Sequence, residues 1–192
     1  TYLPAEGIFS LGKVPYTGWR RLTLGLTVGI VLIVSLAYGL SFIGLRYITP
    51  ILLSFFAVVS TIRWKQWIGL LKIDWKAPHV FLLLFAAVFS LSVVTSGWQT
   101  KAGLEMRSAN GQDGIWNIAL AQELAHSDLP QHPSIAGLPL KGYHIFYNLW
   151  IAELSRFLPL SLIHLHYHFA ALTMSFLFVY AMYALSLRLS NN

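Results

Sequence analysis

The sequence predicts an all-α polytopic membrane protein with about five transmembrane helices and an exterior loop that carries a short juxtamembrane helix. Two observations support this fold class. First, 56% of the residues are hydrophobic and only 10% are charged, whereas soluble domains have about 25% charged residues. Second, residues 22–45 and 77–100 contain no charged residue, and both runs exceed the roughly 20 apolar residues that cross a hydrocarbon core of about 30 Å.

Three further apolar runs complete the predicted bundle. The run 157–187 is long enough to span a membrane, although three histidines interrupt its first third. Residues 47–62 form a shorter run with Pro50 near its start, which favours a tilted or partly re-entrant segment. Residues 142–158 contain Glu153 and Arg156. The predicted organisation is an interfacial lead-in (1–20), three membrane helices (21–100), an exterior loop (101–142) with a juxtamembrane helix over 113–127, and two further membrane helices (143–192).

The basic residues predict how the chain is oriented. The connection 63–76 has four basic residues and one acid, whereas residues 101–141 have three basic residues and four acids. Because cytoplasmic loops are enriched in Lys and Arg, we expect loop 101–142 to lie on the exterior face, with the chain integral to a plasma (inner) membrane. The net charge of +6 comes from residues that flank apolar runs, so the lipid bilayer is the expected partner and nucleic acid is not. The absence of cysteine excludes disulfide and thiol chemistry.

Asp113 begins the predicted juxtamembrane helix, and two interpretations of it are open. As an N-terminal residue it would stabilise the positive end of the helix dipole. As a carboxylate at the membrane surface it would accept a proton from a bound hydroxyl group. Asn117 lies one turn further along and would then hydrogen-bond the same ligand.

Tyr143 and His144 open the following apolar run. They are either an interfacial aromatic pair or part of a polar cleft, because on a helix His144, Asn148 and Ser155 would share one face. Glu153 and Arg156 are three positions apart, a spacing that predicts an ion pair across one helical turn.

The sequence His164-Leu165-His166-Tyr167-His168 has the composition of a metal site but not its spacing. On an α-helix, at 100° per residue, His166 would point about 160° away from the face that His164 and His168 share. Two histidines without a third ligand do not make a zinc site. The sequence therefore predicts neither a metal nor another cofactor.

The segment QDGIWNIALAQELAHSDLPQHPSIAGLPLKGYHIFYNLW, about 40 of the 192 residues, resembles the first exterior loop of polytopic GT-C glycosyltransferases. This group includes the protein mannosyltransferase-like and aminoarabinose transferase-like enzymes. The shared pattern is an acid at the start of a juxtamembrane helix, a proline-bearing return, a G-x-P-L turn and a Y-H pair that enters the next span. Here these elements are Asp113, then Pro130 and Pro133, then residues 137–140, then Tyr143 and His144.

The resemblance implies transfer of a sugar, with inversion, from a polyprenyl-phosphate donor to an acceptor glycan, lipid or protein on the exterior face. Asp113 would be the general base. A second acid often accompanies the first in this group, and here it would be Glu105, Glu123 or neither. The candidate substrate-binding residues are Asn117, Tyr143, His144 and Asn148. Because such enzymes hold the donor phosphate further along the chain, we expect an N-terminal part of a longer enzyme that is inactive alone.

Two other functional classes fit the composition. A transporter or ion-conducting subunit would use His144, Glu153, Arg156 and the three histidines of 164–168 as a polar path through the membrane. A non-catalytic membrane assembly or anchoring protein would use loop 101–142 to bind a partner.

Overall fold

The computed structural model describes residues 1–129, 131–135 and 137–190, and most of them are helical. The all-α prediction is confirmed with one addition, a small antiparallel hairpin. The helices are α1 (Tyr2–Leu11), α2 (Gly18–Ser41), α3 (Thr49–Ile62), α4 (Trp64–Ile68), α5 (Ala77–Val94), α6 (Asp113–His126), α7 (Phe146–Phe157), α8 (Leu162–His164) and α9 (Ala171–Ser190). The strands are β1 (Trp98–Thr100) and β2 (Gly103–Glu105). Short 3₁₀ turns cover Arg46–Ile48 and Ser108–Gly111, and a π-helical segment (Leu165–Ala170) joins α8 to α9.

Within the described residues, three helices are long and apolar enough to cross a membrane. They are α2, α5 and the continuous helix Leu162–Ser190, which comprises α8, the π-helical segment and α9. These helices correspond to the runs 22–45, 77–100 and 157–187 of the sequence. Their length and composition are those of an integral membrane protein.

The two other predicted spans form shorter helices, so a bundle of five spans is not confirmed. Arg46–Ile62 is an apolar helix of at most 17 residues, and α7 has 12 residues. A helix of 12 residues is about 18 Å long, well short of a hydrocarbon core of about 30 Å. At its C-terminus Leu158 is extended, the conformation that a residue before proline favours. At the other end the helix begins only at Phe146, four residues after the predicted run begins at Gly142.

The chain divides into two compact units. Unit 1 comprises residues 1–74 and 120–159, and unit 2 comprises residues 75–119 and 160–192. The chain passes from one unit to the other at 74–75, 119–120 and 159–160, and the second of these boundaries falls within α6 and therefore within the predicted exterior loop.

In unit 1 the predicted lead-in contains a helix that packs into the interior. Half of the ten residues of α1 are buried, among them Glu6 and Gly7. A Cβ atom at Gly7 would collide with the backbone carbonyl of Phe56 on α3, so glycine permits the close approach of these two helices. Glu6 forms a buried ion pair with Arg21 at the start of α2. The segment is thus a packed element, because its buried charge has a partner and its smallest residue faces a neighbouring backbone.

The apolar core of unit 1 joins three helices. Ala37 of α2, Leu120 and Leu124 of α6, and Leu149 and Ala152 of α7 are all almost fully buried in one cluster. Burial of such side chains stabilises a fold by about 25 cal/mol per Å² of apolar area. This cluster holds the second half of α6 in place.

In unit 2, α5 packs against α9, where the rings of Phe89 and Phe178 stack with centroids 5.5 Å apart. The hairpin follows α5, with Trp98 paired to Glu105 and Thr100 paired to Gly103. Gly103 has a φ of +118°, a conformation that is open to glycine and strained for other residues. The sequence placed β1 at the end of the predicted span 77–100 and β2 in the exterior loop 101–142, so the hairpin is an element that it did not predict.

Candidate functional site

Asp113 lies at the start of α6, as predicted, and the helix ends at His126, one residue before its predicted end. The side chain of Asp113 is exposed. Its carboxylate is in the first turn, where the unpaired N–H groups of a helix favour negative charge. The Asn117 amide donates a hydrogen bond of 2.9 Å to the backbone carbonyl of Asp113. The structure therefore presents an accessible carboxylate and an amide side chain on adjacent turns of one helix.

Tyr167 of the π-helical segment fixes the start of α6. Its ring is fully buried, and its hydroxyl donates a hydrogen bond of 2.6 Å to the carbonyl of Asn110. A Cβ atom at Gly114 would collide with that hydroxyl group, and a Cβ atom at Gly97 would approach the same ring too closely. Two glycines therefore make room for one tyrosine, which lies against the residue that follows Asp113. The sequence analysis missed this contact, and the Asp-Gly step at 113–114 was its only local sign.

The segment before α6 is tied to the end of α5. The Asn110 amide donates to the carbonyl of Ser92 at 2.6 Å and to the hydroxyl of Ser96 at 3.0 Å. The same hydroxyl accepts a hydrogen bond of 3.0 Å from the backbone N–H of Arg107. Glu105, one of the two candidates for a second acid, forms an exposed ion pair of 2.9 Å with Arg107. These contacts attach the segment that leads to Asp113 to the C-terminal end of α5, a candidate membrane span.

Tyr143 and His144 lie before α7 and not on it, which corrects the predicted helical face. Because α7 begins at Phe146, His144 cannot share a helical face with Asn148 and Ser155. Gly142, just before the pair, has a φ of +69° and also lies outside the helix. The two rings stack on each other, with centroids 4.7 Å apart and planes inclined by 10°. Tyr143 packs against the core of unit 1, while His144 is exposed.

Asn148 is only 2% exposed on the inner side of α7. A ligand at the surface of unit 1 would not reach it without a rearrangement. Its predicted role as a direct substrate contact therefore needs a change in conformation, whereas Tyr143 and His144 need none.

Glu153 lies at the centre of a buried charge cluster in unit 1. Arg156 is 3.3 Å from its carboxylate, which confirms the ion pair predicted from their spacing. Arg46 is closer still, at 2.7 Å, and the sequence analysis did not predict this pair. The guanidinium groups also donate to backbone carbonyls, Arg46 to Ser127 at 2.7 Å and Arg156 to Ala125 at 3.1 Å. The cluster thus fastens the end of α6 to α7.

His164 is the last residue of α8, whereas His166 and His168 lie in the π-helical segment. The rings of His164 and His168 are 5.2 Å apart, and Trp98 of the hairpin lies 4.3 Å from the ring of His168. The hydroxyl of Ser161 is 2.8 Å from Nδ1 of His164. Among residues 1–129, 131–135 and 137–190, no group of three or more histidines and carboxylates is placed to hold a metal ion.

The five predicted site residues divide between the two units. Asp113 and Asn117 belong to unit 2, whereas Tyr143, His144 and Asn148 belong to unit 1. Pro130, part of the proline-bearing return in the resemblance, lies outside the described residues.

Family models, curated proteins and solved structures were each compared with the chain, and none of them matches it.

Proposed function

We propose that this chain belongs to an integral-membrane glycosyltransferase that moves a sugar from a polyprenyl-phosphate donor to an acceptor on the exterior face. The observation that carries the proposal is the exposed carboxylate of Asp113 at the start of a helix that is too short to span. A general base must be accessible to its substrate and held in a defined position. The hydrogen bond from the Tyr167 hydroxyl to the Asn110 carbonyl holds the backbone just before Asp113 in position.

In the proposed reaction, an acceptor hydroxyl attacks the anomeric carbon of the donor sugar. The new C–O bond forms as the bond between that carbon and the donor phosphate oxygen breaks, and the polyprenyl phosphate leaves with the bonding electrons. Asp113 takes the hydroxyl proton. Attack from the side opposite the leaving phosphate inverts the configuration at the anomeric carbon.

The remaining predicted residues would bind or orient the substrates, or support the residues that do. Asn117 is one turn from the base and would orient the acceptor. The stacked rings of Tyr143 and His144 offer an apolar face to a sugar ring together with polar edge atoms. Asn148 is buried and would support that region of α7.

The test compares sugar transfer by membranes that contain the full protein with Asp113→Asn or Asp128→Asn. Asp128 is a matched control, since it is an exposed aspartate of the same predicted loop. The proposal predicts that transfer is lost with Asp113→Asn and retained with Asp128→Asn, at equal levels of inserted protein. Equal transfer by both variants would contradict it.

A transporter or ion-conducting subunit is the second candidate. The observation that favours it is the buried Glu153, whose Oε2 has no hydrogen-bond partner in the described part of the chain, because ionisable groups inside membrane proteins commonly serve transport. This function predicts that Glu153→Gln abolishes flux in proteoliposomes while Asp113→Asn has no effect. Asp113→Asn separates the two candidates, since it should abolish sugar transfer by a glycosyltransferase and leave flux through a transporter unchanged.

A further inference from the structure

A strained lysine ends α1 in unit 1. Lys13 has a φ of +51° and is the one non-glycine residue with a positive φ in the described ranges. The backbone N–H of Val14 donates to the carbonyl of Phe9 at 3.0 Å, which is the bond of a Schellman motif with Lys13 at the position that glycine usually occupies. A side chain in this conformation costs about 1 kcal/mol. A lysine here thus carries a conformational cost that glycine would avoid.

A cavity of about 250 Å³ opens beside this turn, and Lys13 lines it. Phe9, Trp67 and Leu70 form its apolar wall, and Arg21 contributes a second basic group. Of the described residues that line it, none is acidic. We call this cavity the Lys13 pocket.

The two basic groups of the Lys13 pocket are not equivalent. Arg21 is almost fully buried and pairs with Glu6, and its guanidinium also donates to the carbonyls of Val14 at 2.9 Å and Tyr16 at 3.0 Å. Its charge is balanced and its position is fixed. Lys13 is exposed and makes no ion pair or hydrogen bond through its side chain within the described residues. The free positive charge of the pocket is therefore that of Lys13.

The position of the pocket identifies its ligand. It lies where α2, a candidate membrane span, begins, so it is at a boundary between lipid and water. Trp67 in its wall is a residue type that is enriched at this boundary. Its volume is smaller than the roughly 300–1,000 Å³ of a site for a drug-sized molecule, and it suits a headgroup better than a whole lipid. Basic groups at such boundaries attract the anionic headgroups of the membrane.

We infer that the Lys13 pocket binds the phosphate-bearing headgroup of an anionic phospholipid, whose acyl chains stay in the bilayer. The ammonium group of Lys13 faces the phosphate, and the apolar wall contacts the glycerol carbons. The inference does not depend on the enzymatic activity proposed above.

Native mass spectrometry of the full protein in detergent tests this inference, with phosphatidylglycerol as the anionic probe and phosphatidylcholine as the zwitterionic one. The variants are Lys13→Gly and Lys72→Gly. Glycine tolerates the backbone of residue 13, so the first variant removes the ammonium group without disturbing the turn. Lys72 is an exposed lysine on irregular backbone of the same unit and does not line the pocket. Each variant loses one positive charge.

We expect the unaltered protein and Lys72→Gly to retain phosphatidylglycerol in preference to phosphatidylcholine. Lys13→Gly should weaken that retention about tenfold, since a hydrogen bond to a charged group contributes that much, and Lys13→Arg should keep it. Equal weakening by the two glycine variants would overturn the inference, because it would show that only overall charge matters. Displacement of the lipid by equimolar free glycerophosphate would also overturn it, since the ligand would then be a soluble phosphate.

Discussion

Arg46 Nε donates a hydrogen bond of 2.7 Å to Glu153 Oε1, although the two residues are 107 positions apart and both side chains are fully buried. This pair connects the turn before α3 to α7. Because Arg46 also donates to the carbonyl of Ser127, just beyond α6, it fixes the end of that helix as well. A pair of this kind holds elements in register more than it adds net stability.

Removing the charge of Glu153 should therefore destabilise unit 1 strongly. Glu153→Gln leaves the buried guanidinium of Arg46 without a counter-charge, and we expect a loss of about 3 kcal/mol in the free energy of unfolding. Thermal unfolding in detergent, followed by circular dichroism, measures it. Glu105→Gln is the matched control, because Glu105 pairs with Arg107 at the surface and an exposed pair contributes less than about 1 kcal/mol. Equal losses of unfolding free energy in the two variants would contradict this, because they would show that the buried carboxylate of Glu153 stabilises the fold no more than the exposed carboxylate of Glu105.

The contact between Gly114 and Tyr167 should be specific. Gly114→Ala places a methyl group against the Tyr167 hydroxyl and should cost about 2 kcal/mol, as overpacking does. In a Tyr167→Ala background the same substitution should cost nothing, because the ring that it meets is gone. The two single variants and the double variant are compared by thermal unfolding.

Gly39→Ala is the control for that cycle. A Cβ atom at Gly39 meets nothing within 4 Å, and alanine in a helix is favoured over glycine by up to about 1 kcal/mol. A cost for Gly114→Ala that persists without the tyrosine ring would show that the contact does not fix the start of α6.

The features of this structure that the sequence predicted are those that depend on residues close together in the chain. Three spans follow from runs of apolar residues, and the bounds of α6 follow from Asp113 at its start and from the polar residues after His126. The pair of Glu153 with Arg156 follows from helical spacing. Arg46 as a second partner does not, because its distance to Glu153 depends on how three helices pack.

Three features were misplaced or missed. His144 was placed on a helix because the apolar run continues through it, but α7 begins only at Phe146. The hairpin after α5 was missed because strands of three residues carry too little alternation to be distinguished from a loop. Tyr167 was treated as one residue of a histidine-rich stretch, although its ring occupies the space that Gly97 and Gly114 leave open.

The orientation of the chain has its own test. The chain contains no cysteine, so Lys72→Cys and Gln112→Cys each introduce a unique thiol at an exposed position. The distribution of basic residues predicts that a membrane-impermeant maleimide labels Gln112→Cys in intact cells and labels Lys72→Cys only after the membrane is opened. Labelling of both from the same side would contradict the predicted topology.

The most direct test of the account is the rate of sugar transfer by the full protein with Asp113→Asn, at saturating acceptor and with donor binding measured in parallel. Loss of a general base lowers a rate by about 10² to 10⁴, and asparagine keeps the shape of the side chain. The account predicts a fall of that size in the transfer rate with donor affinity unchanged. A rate within about twofold of the unaltered protein would contradict the assignment of Asp113 as the base.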